Sequence, residues 1–247
     1  SPLSPLPHSQ EVPCGKNNMR ETAQFPFVSE ACWAPGSEGR NNRPLRLAIQ
    51  KGEIENKSLR YLRLLGWNMS PLAKESRTVF AEVSPGLKVF KLRIGDILSG
   101  LTMGALDAAI IGADGVLEAQ LSDPSCPIVP VRNLRFGGCH FCIGFPDSIQ
   151  TPREESDAVK LFQTAQIATS LPRALTYLFE RRGVTIDPAN VRTMSGSVEA
   201  GVELFGAGLI ADRVSSGNTM SANRLRPDYQ LIEFPGAYLV TTKTFLE

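Results

Sequence analysis

From Leu45 onward, short apolar runs alternate with stretches of helical periodicity, and this alternation restricts the fold more than any other feature of the chain. Apolar runs of about five residues are the strands of a buried sheet, and the amphipathic stretches between them are helices that must cover it. Strands are predicted at 45–49, 78–83, 88–92, 107–111, 127–132, 139–145, 165–169, 191–194, 209–214, 229–233 and 237–242. Helices are predicted at 55–66, 95–104, 113–119, 154–163, 172–182, 197–205 and 218–224. Helix 172–182 opens on Pro172 and stops before Gly183, the asymmetry expected of helix ends. The fold class is α/β with mainly parallel sheets.

Residues 1–43 differ. They are rich in proline and small polar residues, lack apolar periodicity, and balance four basic against four acidic groups. Such a segment cannot bury enough apolar surface to offset its ordering, so a disordered leader or processed remnant is expected. The sequence begins with Ser1 rather than Met, which fits a processed start. The four glutamates disagree with an organellar transit segment, which is poor in acids.

Over 247 residues the formal net charge is +1, so bulk electrostatics give no reason to expect a nucleic-acid partner. A polyanionic small ligand would need local basic groups. No apolar run reaches the ~20 residues of a membrane-spanning helix. The five cysteines are odd in number and scattered, which is no disulfide framework. Cys139-His140-Phe141-Cys142 has the composition of a metal-ligand pair. On a strand, however, positions three apart point to opposite faces, and the only other histidine is His8. Buried free thiols are the better reading. They favour a reducing compartment, so a cytoplasmic location is expected, with an organelle left open if residues 1–43 are a targeting remnant.

Residues 193–219 carry the chemistry. Thr193-Met194-Ser195-Gly196-Ser197-Val198-Glu199-Ala200 reads as a small-residue turn entering a helix. A buried strand follows, and then Val214-Ser215-Ser216-Gly217-Asn218-Thr219 opens another helix. That second turn offers backbone N–H groups, three hydroxyls and a glycine at a helix start. These are the parts that hold a phosphate monoester, and equally those of an ordinary N-cap. Asp212, just upstream, is placed to accept hydrogen bonds from sugar hydroxyls.

Ser195–Glu199, followed at fixed distance by Ala211–Thr219, resembles the phosphoribosyl-pyrophosphate motif of the ATP phosphoribosyltransferase family, which opens histidine biosynthesis. Leu45-Arg46-Leu47-Ala48-Ile49-Gln50-Lys51-Gly52 resembles the family's first strand and Lys-Gly turn. Arg93-Ile94-Gly95-Asp96-Ile97 and Gly104–Asp114 resemble two further segments, and Phe136–Phe141, Ile167-Ala168-Thr169 and Phe179–Gly183 follow in the family's order. The resemblance spans roughly residues 45–243. It implies a two-lobed periplasmic-binding-protein-like type II fold with a cleft between lobes. Lobe I would hold 44–132 plus 228–247, and lobe II would hold 133–227 and the phosphoribosyl-pyrophosphate motif. It also implies a catalytic region without the C-terminal regulatory domain, lacking the helix that usually follows the last strand.

The implied reaction displaces pyrophosphate from phosphoribosyl pyrophosphate by N1 of ATP, with Mg²⁺ bound through substrate phosphates. Residues Ser215, Ser216, Gly217, Asn218 and Thr219 would hold the 5′-phosphate. Asp212 would orient the ribose, and Lys51 with Arg93 would neutralise pyrophosphate. Lys51 is otherwise a solvated loop lysine, and Asp96 a dipole-compensating first-turn acid. Asp114 is either a helix cap or a contact on the purine-nucleotide side. Glu199 is either a substrate contact or half of a capping box. A homo-oligomer is implied, with a histidyl-tRNA-synthetase-like subunit as regulatory partner. Two departures stand out. Glu53 replaces the arginine of Lys-Gly-Arg, and Gly208 replaces an aspartate expected on the ribose side. They leave open a catalytically silent homologue that binds a nucleotide or sugar phosphate, or serves as a partner subunit.

Overall fold

The computed structural model describes residues 43–73 and 76–246, so the expected leader lies, but for Arg43, outside the described residues. These residues divide into two compact units. One comprises 43–138 and 235–246, the other Cys139–Phe234.

The first unit is built on a six-stranded sheet in the order β2-β3-β1-β4-β11-β5. Its strands are β1 (Leu45–Gln50), β2 (Phe80–Ser84), β3 (Leu87–Leu92), β4 (Ala108–Gly112), β5 (Ile128–Asn133) and β11 (Ala237–Thr242). β1 lies parallel to both β3 and β4. Every residue of β4, Ala-Ala-Ile-Ile-Gly, is buried, as a central strand covered on both faces must be. Helices α1 (Glu55–Leu64), α2 (Ile94–Thr102) and α3 (Ala113–Ser122) follow β1, β3 and β4. On α1 only one stripe is buried, Leu59 and Leu62 with the small Ser58, and its other side meets solvent.

The second unit carries a five-stranded sheet in the order β10-β6-β9-β7-β8. It comprises β6 (Cys139–Pro146), β7 (Ile167–Thr169), β8 (Val191–Thr193), β9 (Leu209–Val214) and β10 (Leu225–Phe234), with helices α4 (Glu155–Thr164), α5 (Pro172–Glu180), α6 (Gly201–Phe205) and α7 (Asn218–Ala222). Alternation along β6 sorts its side chains. Phe141 and Phe145 join an aromatic core with Phe162, Phe179 and Phe234, where the Phe162 and Phe179 rings lie 5.0 Å apart. Cys142, on the opposite face, packs with Ala168, Ile210, Val214, Val198 and Met220. Burial pushes the Cys142 thiol up to about 12, so it behaves as a small hydrophobe.

Several expectations need correction. The sheets are mixed, because only four of the nine strand pairings among the described residues are parallel. The cause is chain direction. In each unit the strand that leaves and the strand that returns lie side by side, β5 with β11 and β6 with β10, and so run antiparallel. The divisions fall at 138/139 and 234/235 rather than near 133 and 228, since the whole of β10 pairs with β6. The predicted helix 197–205 is a 3-10 turn at Val198–Ala200 followed by α6. A short helix, α8 (Lys243–Leu246), follows the last strand where none was expected. Gly236, between β10 and β11, has φ +108, and a Cβ there would lie 2.2 Å from the Phe136 carbonyl oxygen, so only glycine fits.

Candidate functional site

The residues singled out in the sequence form two groups, one on each unit. Each group gathers at the carboxyl ends of parallel strands, where open α/β sheets bind ligands.

On the first unit, Gln50 is in register with Leu92 and Ile49 with Ile110. The chain therefore leaves β3, β1 and β4 side by side, bringing Arg93, Lys51 and the Gly112–Asp114 turn to one sheet edge. The Lys51 amide donates to the Leu92 carbonyl at 2.8 Å, and the Gly112 amide donates to Gln50 Oε1 at 3.0 Å. Lys51 and Arg93 are both exposed. Gly52 turns the chain with φ +109, and its amide donates to Glu55 Oε2 at 3.5 Å. Glu55 Oε1 in turn lies 3.6 Å from the ammonium of the buried Lys91. This Lys91–Glu55 pair behind the Lys-Gly turn had no motif to announce it. Glu53 is exposed beside the turn.

The carboxylates of this unit separate into distinct roles. Asp107 is buried and grips Arg43 through two hydrogen bonds of 2.7 and 3.0 Å, while accepting the Arg46 amide at 2.7 Å. It fastens the start of β1 to β4. Asp114 is buried in the first turn of α3, with its carboxylate folded back on the backbone: a Cβ on Gly112 would meet Asp114 Oδ1 at 2.2 Å. Asp96 is exposed in the first turn of α2.

On the second unit, Asp212 lies two residues before the end of β9, opposite Cys142 of β6. The parallel register of β7 with β9 (Thr169 beside Ala211) brings Ser170 alongside it. Burial raises the Asp212 carboxyl above its ordinary value, and the negative charge of Glu199 adds to this, while Arg213 and the Ser170 hydroxyl oppose it. The Arg213 guanidinium Nε is 4.0 Å from Asp212 Oδ1. The Ser170 hydroxyl is close enough to Asp212 to lower its carboxyl, yet neither Asp212 Oδ1 nor Ser170 Oγ, both buried, makes a hydrogen bond of ordinary length and alignment. Glu199 sits on the 3-10 turn over this face. Its capping-box reading fails, because Ser197 is left-handed at φ 50 and its side chain caps nothing.

Beyond β9, Ser215, Ser216, Asn218 and Thr219 are exposed, and Gly217 begins α7 at φ +75, a conformation that favours glycine. Gly217, at the N-cap of α7, has no side chain to cap the helix. The arrangement can present hydroxyls and helix-start N–H groups to an anion, with a desolvated carboxylate one strand-end away. Gly208 is elsewhere. It precedes β9, and an added Cβ would contact Ala165, Gln166 and Ile149 at 3.7–3.9 Å. Four residue steps along the strand separate it from Asp212, about 13 Å. A carboxylate at 208 would not reach the group around Asp212.

Sequence reasoning missed Ser170, which directly follows the noted Ile167-Ala168-Thr169 run. It weighed His140 only as a metal ligand, although the Nδ1 of this histidine is also buried and without a partner. Counting ladder positions from β6 to β9 was the signal that could have found it.

The HisG family model, ATP phosphoribosyltransferase, matches residues 93–247. The ATP phosphoribosyltransferase of Moorella thermoacetica is 29% identical over 182 residues, covering 73% of this chain and 76% of the relative. That of Novosphingobium aromaticivorans is 32% identical over 187 residues, covering 74% and 78%. Among solved structures, the ATP phosphoribosyl transferase (HisG:HisZ) complex from Thermotoga maritima superposes with a TM-score of 0.58 at 22% identity, covering 81% of this chain and 88% of that one. The periplasmic aliphatic sulphonate binding protein SsuA from Escherichia coli superposes at 0.51 with 14% identity, covering 82% and 66%, which places the fold beside the periplasmic binding proteins. With its motifs at strand ends and its matched relatives in agreement, the chain belongs to the ATP phosphoribosyltransferase family.

Proposed function

We propose that the protein transfers the phosphoribosyl group of phosphoribosyl pyrophosphate to N1 of ATP, releasing pyrophosphate. The observation that carries the assignment of roles is Asp212. It is a largely buried carboxylate with an oxygen that makes no well-formed hydrogen bond, set just before a glycine-started helix on the family's phosphoribosyl-pyrophosphate motif. Asp212 orients the ribose hydroxyls, and the 215–219 segment holds the 5′-phosphate through Ser216, Thr219 and backbone N–H groups. Lys51 and Arg93 are assigned to the pyrophosphate, whose charge grows as the C1–O bond breaks. Glu199 lies beside the ribose carboxylate, and Asp114 supports the turn at the nucleotide-side strand end.

No protein nucleophile takes part; catalysis rests on positioning and on stabilising charge. Mg²⁺ is proposed to be bound through the phosphates of the substrates. It would supply neutralisation of the leaving pyrophosphate.

A HisZ-like regulatory subunit is the proposed partner, on the pattern of the Thermotoga maritima complex, alongside a homo-oligomer of this chain. A cytoplasmic location is proposed from the buried free thiols Cys139 and Cys142, and cell fractionation tests it. Pyrophosphate release from the full chain with ATP, phosphoribosyl pyrophosphate and Mg²⁺ tests the activity, with and without a HisZ-like subunit. Release dependent on both substrates is expected. Tight substrate binding with no release in either mixture would favour the silent homologue, for which Glu53 beside Lys51 is the one structural support.

A further inference from the structure

Three buried side-chain polar atoms lack a hydrogen-bond partner among the described residues: Asp212 Oδ1, Ser170 Oγ and His140 Nδ1. Native interiors leave few such atoms, and each calls for an explanation. Here the three share one place. His140 is opposite Val214 and Cys142 is opposite Asp212 in the antiparallel β6–β9 ladder, so all four side chains lie on the same face of the sheet. Ser170 flanks Asp212 from β7. His140 stands one pair further toward the end of β9, level with the last strand residue before Ser215. Its other neighbour in the ladder is Glu233 of β10, with which it forms no hydrogen bond.

Resting on the phosphoribosyltransferase reading above, we propose that His140 is a ligand-binding residue. Its Nδ1 hydrogen-bonds the sugar–phosphate portion of the phosphoribosyl donor, between the ribose hydroxyls at Asp212 and Ser170 and the 5′-phosphate at 215–219. The bound ligand supplies the partners that all three atoms lack, which accounts for their shared face and their common lack of bonds within the protein. The thiol of Cys142 and the carboxylate of Asp212 share this face with His140, but among the described residues no three His, Cys, Asp or Glu side chains are grouped to hold a metal ion.

Calorimetric titration of ribose 5-phosphate and of phosphoribosyl pyrophosphate into the full chain tests this, on wild type and on His140→Leu, His140→Asn and His140→Gln. Asparagine carries a polar atom near the Nδ1 position, whereas glutamine places its amide near Nε2. The expected result is roughly a tenfold or greater loss of affinity in His140→Leu, as for loss of one hydrogen bond to a charged ligand. Substantial recovery is expected in His140→Asn and little in His140→Gln, with melting of the leucine variant unchanged or raised. Wild-type binding that survives in His140→Leu would overturn the proposal alone. Equal losses in all three variants accompanied by lowered melting would also overturn it, by making the histidine structural. Failure of the wild type to bind either ligand would overturn the phosphoribosyltransferase reading itself.

Discussion

Replacing Asp212 by asparagine should lower activity while leaving the fold as stable or more so. The stability sign follows from the raised carboxyl. A group whose folded pKa exceeds its unfolded value contributes stability that is fully present below the unfolded value, 3.8, and is lost as pH rises through the folded one. At neutral pH the fold therefore holds an ionised carboxylate that burial and Glu199 both oppose. Asparagine removes that penalty with almost no change in shape. Any gain would read as about 2–4 °C per kcal/mol for a chain of this size. It should shrink as the pH is lowered toward the unfolded value of 3.8, since the wild-type carboxyl takes up its proton above that value.

Function runs the other way. The asparagine amide keeps an acceptor but loses the charge that strengthens hydrogen bonds from ribose hydroxyls, a loss of about 1.5–3 kcal/mol. This corresponds to about 10–150-fold in kcat/KM. Pyrophosphate release and thermal melting, measured on the same samples at neutral and mildly acidic pH, give both numbers. A variant that melts several degrees lower at neutral pH yet keeps full turnover would refute the reasoning, because Asp212 would then be a structural anchor.

Three further outcomes are expected. Thr219→Val should weaken phosphoribosyl pyrophosphate binding several-fold at unchanged melting temperature, since Thr219 is exposed and its hydroxyl is offered to the ligand; equal calorimetric affinities would return the turn to a plain helix start. Gly208→Asp should not raise kcat/KM, because the new carboxylate would face Ala165, Gln166 and Ile149 about 13 Å from Asp212; a gain of tenfold would show that the group reaches the ribose after all. Glu53→Gln should raise kcat/KM by a few-fold at low ionic strength and less at high salt. At about 4–8 Å in water a single charge is worth about 0.5–1 kcal/mol and is screened within ~10 Å at 0.1 M. The same rate at every salt concentration would remove Glu53 from consideration.

The α/β class and all eleven strands were legible because apolar runs and turn residues mark strands locally, and β4 is the clearest case: five buried positions read directly as Ala-Ala-Ile-Ile-Gly. Strand direction was not legible. Periodicity says which residues are buried but carries no sign for the partner's direction, so the expectation of mainly parallel sheets could not foresee the antiparallel β5–β11 and β6–β10 pairs. The capping box around Glu199 failed for a related reason. Ser-Gly-Ser-Val-Glu has the right composition, yet the chain takes Ser197 into the left-handed region and the hydroxyl leaves the helix start. Lys51, Arg93 and Asp212 could be picked out by their motifs. Ser170 and His140 could not, because each acquires its place only when β7 and β6 are set in register against β9.

Register also changes how the two departures at Glu53 and Gly208 should be weighed. Both were grounds for a silent homologue, on the premise that each removes a ligand group. Gly208 weighs less on the proposed assignment, since it lies before β9 and against the end of α4, at the other end of the strand from the 215–219 turn. Glu53 keeps its standing, but as an exposed charge whose effect solvent weakens. Opposed to it is the polar face of the second sheet. Free of function, a fold gains nothing from a desolvated carboxylate facing Glu199, nor from a buried hydroxyl and a buried imidazole nitrogen without partners. Each such atom costs about 1–3 kcal/mol relative to an apolar replacement, and all three persist on one face, near the 215–219 turn proposed to hold the 5′-phosphate. Stability given up in one place is what the proposed donor site would require.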